Sequence, residues 1–308
     1  MLANCSMLVE AAAAAAAGQQ YPAPALYIVA TPIGNLADLS FRALHVLATA
    51  DTIACEDTRH SARLLEHFGL SRPLLAAHEH NEREAAAAIL ELLGRGQRVA
   101  YVSDAGTPGV SDPGAAVVAA VEAAGYRIVP IPGPSSALAA VSVAGDTSGT
   151  QVAVVGFLPA RGAERARAVA RCAAATAAQV LFEAPHRIES LAAALAEAGP
   201  QRRLTLCRGL TKQFETRISL PASELPAWLA ADANRSRGEF VVVLHGLAEP
   251  AAAVGDTDHD ALLVPLLAAL PLKQAVALAA AIGGAPRKLL YARALALKDG
   301  AAPEDDAD

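Results

Sequence analysis

The first half of the chain alternates short apolar runs with longer segments whose apolar residues recur at helical spacing. The apolar runs predict buried strands, because continuous aliphatic stretches bounded by turn residues are typical of a parallel sheet. The segments between them predict helices that cover both faces of that sheet. Predicted strands lie near 26–30, 51–55, 73–77, 98–102 and 127–131, and predicted helices near 39–50, 58–69, 81–96, 112–125 and 135–145. Asn81 or Asp112 is expected to cap the helices at 81–96 and 112–125.

The second half has a different pattern. Five apolar runs again predict strands, but two of them are joined through a short loop near Lys212, which indicates a mixed sheet with antiparallel pairs. After Gly246 an acidic linker precedes three short helical patterns that are interrupted at Pro271 and Pro286. The expected organisation is a disordered extension, a first α/β domain, a second α/β domain and a C-terminal helical region, at residues 1–24, 25–145, 146–247 and 258–299.

Three predicted strands of the first half end in loops that are rich in glycine, proline, serine and aspartate: Ala30–Ser40, Ser103–Gly114 and Pro130–Leu138. Small residues allow a ligand to approach the backbone closely. In open α/β sheets, ligands bind outside the carboxyl ends of the strands. One such loop is more often a surface turn, but three of them favour the rim of a single binding pocket.

Composition narrows the class of protein. A chain of 308 residues is long enough for about two domains. Alanine raises the apolar fraction without producing a run of about 18 strongly apolar residues, so we expect no membrane span. The alanine run near the amino terminus follows no basic residue, unlike a secretory signal. The four cysteines are scattered without a CxxC pair, which is typical of a cytoplasmic protein and argues against a disulfide framework or a cysteine-ligated zinc.

The net charge of −6 disfavours a nucleic-acid partner, but the charge is unevenly distributed. Residues 161–217 contain ten Arg or Lys and only five Glu. A solvated helix face and a phosphate-binding patch both account for this segment, and charge alone does not separate them.

Polar groups with catalytic potential follow the predicted strand ends. Glu56 and Asp57 could accept a proton, although a helix cap with an Asp–Arg pair is the more common role for such a run. The string HEHNE includes Glu79 and His80, but no third ligand follows at a usual spacing, so we expect a polar rim and no metal site. Lys212 lies in a turn and could be an ordinary surface residue.

Several common motifs are absent from the sequence. It has no GxxxxGK[ST] string, no GxGxxG after its first strand and no GxSxG. These absences disfavour a P-loop nucleotidase, a dinucleotide-type Rossmann site and a nucleophile-elbow hydrolase. What remains is a two-domain α/β protein with a loop-lined cleft whose ligand the residues do not name.

Strings along residues 25–299 resemble the 16S rRNA cytidine 2′-O-methyltransferases of the tetrapyrrole methylase superfamily, in the same order and spacing. They include ATPIGNL, EDTRH, SDAGTP, FEAPHR and PLKQAVALAA. The resemblance implies the two-domain, tetrapyrrole methylase-like α/β fold of class III methyltransferases, with a parallel sheet in the first domain, a mixed sheet in the second, and C-terminal helices. Gly109, Val155 and Gly209 depart from the family's usual residues.

The same resemblance implies S-adenosylmethionine as cofactor, 16S rRNA of the small ribosomal subunit as partner, and a homodimer without a metal. Expected cofactor contacts are Pro32, Ser103, Asp104, Ala105, Thr107, Ser135, Ser136, Phe182 and Leu210. Candidate bases are Glu56, Asp57 and Glu79, with His80 and Lys212 as orienting groups. Expected RNA contacts are Arg161, Arg165, Arg167 and Arg187. Two alternatives stay open, a methyltransferase acting on a tetrapyrrole-like small molecule and a non-enzymatic cofactor-binding protein.

Overall fold

The computed structural model describes residues 2–148, 151–247 and 256–299. The chain divides into two compact units, Met1–Leu247 and Ala248–Asp308. The first unit contains two five-stranded sheets, and the second consists of helices in its described part.

The first sheet is parallel, with the strand order β3-β2-β4-β1-β5. Successive residues of β1 face opposite cores: Tyr27 and Val29 pack with α2 and α3, while Leu26 packs with α4 and α5. Both faces are therefore covered, as the continuous apolar runs predict. The elements are β1 (Ala25–Val29), α2 (Phe41–Thr49), β2 (Thr52–Cys55), α3 (Thr58–His67), β3 (Leu74–Ala76), α4 (Glu82–Gly94), β4 (Arg98–Val102), α5 (Ala115–Ala123) and β5 (Arg127–Ile131).

The amino-terminal segment corrects one expectation. Residues 1–24 were expected to be disordered, but α1 (Leu2–Ala16) is a helix. Alanine has the highest helix propensity, and its small side chain allows close packing. Ala12 and Ala16 are fully buried or nearly so, and Ala12 joins the core that contains α2. The helix is thus stabilised by tertiary packing that its sequence alone does not indicate.

Both expected caps also differ in detail. Gly114, and not Asp112, occupies the N-cap of α5, and its N–H donates to Oε1 of Glu82 at 2.8 Å. Asn81 stands at the N-cap of α4 but makes no capping bond, because its Oδ1 accepts the N–H of His78 at 2.8 Å. A competing local turn therefore uses the asparagine side chain.

The second sheet is mixed, with the order β6-β7-β10-β8-β9. Its strands β6 and β7 are parallel and its other pairs are antiparallel, as the short loop near Lys212 predicts. Helices α7, α8 and α9 cover the face that carries Phe240, Val242 and Leu244. The elements are β6 (Val152–Phe157), α7 (Gly162–Ala174), β7 (Ala178–Glu183), α8 (Ile188–Ala198), β8 (Arg203–Arg208), β9 (Thr216–Pro221), α9 (Leu225–Ala230) and β10 (Phe240–Leu244).

The opposite face of the second sheet packs against α6 (Ser136–Ala144). Ala137, Ala140 and Ala144 of this helix lie against Val241 and Val243 of β10. By its packing, α6 is associated with the second sheet, although it lies before the boundary expected near residue 145. The sequence places α6 among the first-half helices, and only the long-range contact assigns it.

In its described residues, 256–299, the C-terminal unit contains three helices, α10 (Asp256–Ala269), α11 (Leu272–Gly283) and α12 (Arg287–Asp299). Leu263, Val276 and Leu290 form its buried centre. The interruptions fall at Pro271 and Pro286, where the sequence predicts them. Among the described residues, no helix is both long and apolar enough to cross a membrane.

Candidate functional site

The three small-residue loops meet at the carboxyl edge of the first sheet. Thr31, after β1, and Gly106, after β4, exchange two backbone hydrogen bonds of 2.8 and 3.0 Å. The hydroxyl of Thr107 donates to the carbonyl of Pro134 in the loop after β5, at 3.0 Å. These bonds join the loops into one rim, because each ties a different strand end to the segment after β4.

Two glycines allow the loops of the second α/β region to approach this rim. A Cβ on Gly34 would lie 2.7 Å from Cγ of Lys212 and 2.9 Å from the carbonyl oxygen of Leu210. Gly156, at a β-bulge of β6, has φ +76°, and a Cβ there would lie 2.7 Å from Oγ of Ser111. Only glycine permits both approaches.

A cavity of about 260 Å³ lies between these loops. Small-molecule sites are typically about 300 Å³ or larger, so this cavity is slightly smaller than that range. Six of the nine residues expected to contact a cofactor line it: Ala105, Thr107, Ser135, Ser136, Phe182 and Leu210. The structure therefore brings together residues from both α/β regions that the sequence could only place on separate loops.

The other three expected contacts lie elsewhere. Pro32 and Asp104 line a second, smaller cavity, together with residues of α3. Ser103 is buried beneath the loop, where its carbonyl accepts from the Thr31 hydroxyl at 3.1 Å and its own hydroxyl donates to the Gly106 carbonyl at 3.3 Å. Ser103 thus shapes the loop and does not line the cavity.

Sequence reasoning missed several residues of the first cavity. Asp112 lines it, and burial raises the pKa of its carboxyl, with the nearby Asp104 adding to the rise. Asp112 belongs to the same SDAGTPGVSDPG string as Thr107, so the loop that predicted a binding pocket already included it. Phe240 and Val241 also line the cavity, but the apolar run that contains them predicts only a buried strand.

Glu56 and Asp57, the adjacent candidate bases, have different surroundings. Oδ1 of Asp57 accepts the N–H groups of Arg59 and His60 at 2.8 and 3.3 Å, and these bonds hold the pKa of its carboxyl below the usual range. Asp57 is therefore the N-cap of α3, which is the structural role that the sequence also allowed. Its lowered pKa makes it a poor proton acceptor.

Glu56 is half-buried. Burial raises the pKa of its carboxyl, and the negative charges of Asp104 and Asp112 raise it further. A bond from the backbone of Asp104 opposes that rise and ties Glu56 to the loop that lines the cavity. A carboxyl with a raised pKa is the better proton acceptor.

None of the five catalytic candidates, Glu56 and Asp57 included, lines either cavity. Glu79 and His80 are exposed and pair with each other at 3.3 Å. The rings of His78 and His80 are 6.0 Å apart, and the described residues include no group of three His, Cys, Asp or Glu arranged to hold a metal. Nζ of Lys212 pairs with Glu239 at 2.9 Å, and Glu239 lines the first cavity.

The structure revises the expected RNA contacts. Arg165 and Arg187 both pair with the fully buried carboxylate of Glu183, at 3.1 and 2.9 Å. Each also donates to carbonyls of Leu158 or Pro159. These guanidiniums are structural, because they compensate a buried charge. Arg161 and Arg167 are exposed, so of the four expected contacts only these two present their charge to solvent.

Two solved methyltransferase structures share the fold of this chain. The chain matches the methyltransferase CobJ with a TM-score of 0.54 and 21% identity over 72% of this chain and 93% of that one. It matches uroporphyrin-III C-methyl transferase from Thermus thermophilus, complexed with S-adenyl homocysteine, with a TM-score of 0.51 and 17% identity over 71% and 96%. Residues 25–226 match the tetrapyrrole (corrin/porphyrin) methylase model. The chain therefore belongs to the tetrapyrrole methylase family.

Closer relatives narrow the family. The ribosomal RNA small subunit methyltransferase I of Pseudomonas aeruginosa is 47% identical over 88% of this chain and 96% of its own length. The protein of the same name from Escherichia coli O157:H7 is 46% identical over 88% and 94%. Residues 253–298 match the RsmI C-terminal HTH domain. Within the tetrapyrrole methylases, the chain belongs to the ribosomal RNA small subunit methyltransferase I family.

Proposed function

We propose that this protein transfers a methyl group from S-adenosylmethionine to the ribose 2′-hydroxyl of a cytidine in the 16S rRNA of the small ribosomal subunit. The observation that carries the proposal is the similarity, over nearly their whole length, to relatives named ribosomal RNA small subunit methyltransferase I. A match to the C-terminal domain of the same family supports it. The loop-lined cavity supplies the corresponding small-molecule site.

The first cavity fits such a cofactor chemically. Phe157, Phe182 and Leu210 give it apolar walls for a flat base, and Asp112 offers a carboxylate to a cationic group. Ala105 and Gly106 are small residues that leave the backbone open to close approach. When bound, S-adenosylmethionine supplies a methyl group that a positively charged sulfur already activates. The task of the protein is then to hold both reactants in line.

The cofactor site is tested by filling it. Ala105→Trp should abolish binding of S-adenosylmethionine in calorimetry, because the added ring occupies the cavity. The circular dichroism spectrum and the unfolding midpoint should stay close to those of the unchanged protein. Unchanged affinity in a folded Ala105→Trp protein would show that the cofactor binds elsewhere.

Glu56 is the proposed proton acceptor for the ribose hydroxyl. A sugar hydroxyl is a weak acid, so a positioned acceptor assists as the new bond to the methyl carbon forms. Glu56→Gln should therefore lower turnover by about 10²- to 10⁴-fold, the usual contribution of a general base, while cofactor affinity is retained. Glu66→Gln, an exposed glutamate on the nearby α3, is the matched control. Equal turnover of the two variants would remove Glu56 from this role.

We further propose a homodimer. The edge strand β6 exposes Val152 and Val154, and α6 exposes Leu138 and Val143. An exposed apolar set on an unpaired strand edge is a typical association surface. Light scattering at micromolar concentration should give twice the chain mass, and a monomer mass would contradict the proposal. The substrate implies that the reaction occurs in the cytoplasm, where ribosomal subunits assemble.

The substrate is tested directly in rRNA. Nucleoside digests of 16S rRNA from cells with and without this protein should differ by one 2′-O-methylcytidine. Isolated small subunits from the deficient cells should accept labelled methyl groups from S-adenosylmethionine when the purified protein is added, in a dinucleotide that resists alkali. A methyl group on a base, or none in rRNA, would overturn the proposal. A coloured macrocycle that co-purifies and is methylated would favour the tetrapyrrole alternative.

A further inference from the structure

The second cavity has a volume of about 210 Å³ and lies beside the first. Thr31 and Pro32 of the first loop form one side of it, and His60 and Arg63 of α3 form another. Asp104 also lines it. The next residues of the same loop, Ala105 to Thr107, line the first cavity. The loop after β4 therefore contributes neighbouring residues to both cavities.

Two exposed cationic or titratable side chains face this second cavity. His60 and Arg63 are three residues apart on α3, so they lie on the same side of the helix. Within the described residues, neither side chain has a hydrogen bond or ion pair, whereas Arg59 on the same helix pairs with Asp57 at 3.7 Å. Arg63 in particular holds a guanidinium fork that is available to an anion.

The cavity also contains an acceptor. Oδ1 of Asp104 accepts the N–H of Asp57 at 3.2 Å, which fixes the carboxylate at the end of β4. A free phosphate would be repelled by this carboxylate. A sugar-phosphate presents an anion to the cations and a hydroxyl to the carboxylate, so its chemistry matches both sides of the cavity.

We propose that the second cavity holds the sugar-phosphate of the RNA strand next to the reacting ribose, with Arg63 and His60 on the phosphate and Asp104 on a sugar hydroxyl. The inference rests on the proposed function, because it assumes an RNA substrate. It assigns the strand to the first α/β region, close to the cofactor cavity, in addition to the exposed arginines of α7.

Binding of a short, single-stranded, cytidine-rich RNA oligonucleotide tests the cavity without any methyl transfer. Arg63→Ala should weaken this binding roughly tenfold, as expected for the loss of a charge-assisted hydrogen bond. The slope of log K against log salt should fall by about 0.7, the value for one phosphate contact on a single strand. Arg63→Lys should restore the slope but only part of the affinity, because lysine lacks the fork.

The matched control is Arg127→Ala. Arg127 is an exposed arginine at the start of β5, at the opposite edge of the same sheet. Its removal should leave oligonucleotide affinity, salt slope and turnover unchanged. With small subunits as substrate, Arg63→Ala should raise KM more than it lowers kcat, and His60→Gln should give a smaller change in the same direction.

Two results would overturn the inference. The first is an Arg63→Ala protein with the oligonucleotide affinity and salt slope of Arg127→Ala. The second is a loss of S-adenosylmethionine affinity in Arg63→Ala, since the cavity would then serve the carboxylate of the cofactor. Absence of methyl transfer by the unchanged protein would refute the proposed function, and oligonucleotide binding would still decide whether this cavity holds RNA.

Discussion

The two α/β regions of residues 1–247 both expose arginines, but the two buried arginines among the described residues, Arg165 and Arg202, belong to the second region. In the second region, Arg165 and Arg187 flank the buried Glu183, and Arg202 is itself buried. In the first region, His60 and Arg63 project from α3 into a cavity without an ion-pair partner among the described residues. The second region contains more arginine per residue than the first, but Arg165, Arg187 and Arg202 serve internal ion pairs and hydrogen bonds and are not free to bind an external anion.

Arg202 shows why the second region needs buried guanidiniums. Its nitrogens donate to the carbonyls of Cys172, Ala173 and Ala175 at the end of α7, at 2.7 to 2.9 Å. They also donate to the carbonyl of His245 at 3.0 Å. A single side chain with five donors satisfies the last carbonyls of a helix and joins them to the sheet. Charge density along a sequence therefore does not indicate exposure.

The largest effect on stability should come from the ion-pair cluster of the second region. Glu183→Ala leaves one buried and one partly buried guanidinium without a counter-charge, so the free energy of unfolding, measured in urea, should fall by about 3–5 kcal/mol. Glu164→Ala, at an exposed glutamate of α7, should change it by less than about 0.5 kcal/mol. A decrease of less than about 1 kcal/mol in the free energy of unfolding of Glu183→Ala would show that this ion-pair cluster does not stabilise the second region.

A smaller loss of stability is expected for a substitution at the contact between the two α/β regions. Gly34→Ala places a methyl group 2.7 to 2.9 Å from the turn at Leu210–Lys212, so we expect a loss of about 1–3 kcal/mol from overpacking. Turnover should fall as well, because the turn carries Leu210 of the cofactor cavity. Gly18→Ala, which has nothing within 4 Å, is the control. Equal stability of the two variants would mean that the contact is loose.

The exposed arginines of the second region should affect binding and not stability. Replacing Arg161 and Arg167 together by alanine should leave the unfolding midpoint unchanged. The salt slope of log K for small subunits should decrease by about 1.4 to 1.8, for two phosphate contacts. Salt dependence equal to that of the unchanged protein would make α7 a solvated helix face, and would leave the first region as the main RNA surface.

The smallest effects concern pH and the neighbours Glu56 and Asp57. The raised pKa of Glu56 means that its stabilising contribution is present at low pH and lost as pH rises through that pKa. Glu56→Gln should therefore raise the free energy of unfolding near neutral pH, with a difference that shrinks in acid. The lowered pKa of Asp57 gives the opposite sign, so Asp57→Ala should lower stability near neutral pH and less so in acid. Urea titrations at a series of pH values measure both changes in the free energy of unfolding. Changes of the same sign in the two variants would contradict the opposite pKa shifts of Glu56 and Asp57.

Local pattern sufficed for the elements and for much of the rim. All five predicted strands of the first half are found within a few residues of their expected positions, because a run of apolar residues between turn signals is a local property. The loops after β1, β4 and β5 were also recognisable, since their small residues stand at strand ends. Gly109 and Gly209 depart from the family pattern, yet their φ values of +80° and +57° suit glycine.

What the sequence determined by itself is the alternation of strands and helices, the small-residue loops and the family. What only the tertiary structure decided is which distant residues meet: α6 on the second sheet, Ala12 of α1 against α2, and Gly34 against Lys212. Side-chain periodicity fixes which face of an element is apolar, but not which element covers it. Likewise, contacts between segments far apart in the chain determine which arginine pairs with Glu183. Such contacts also determine which carboxylate lines a cavity.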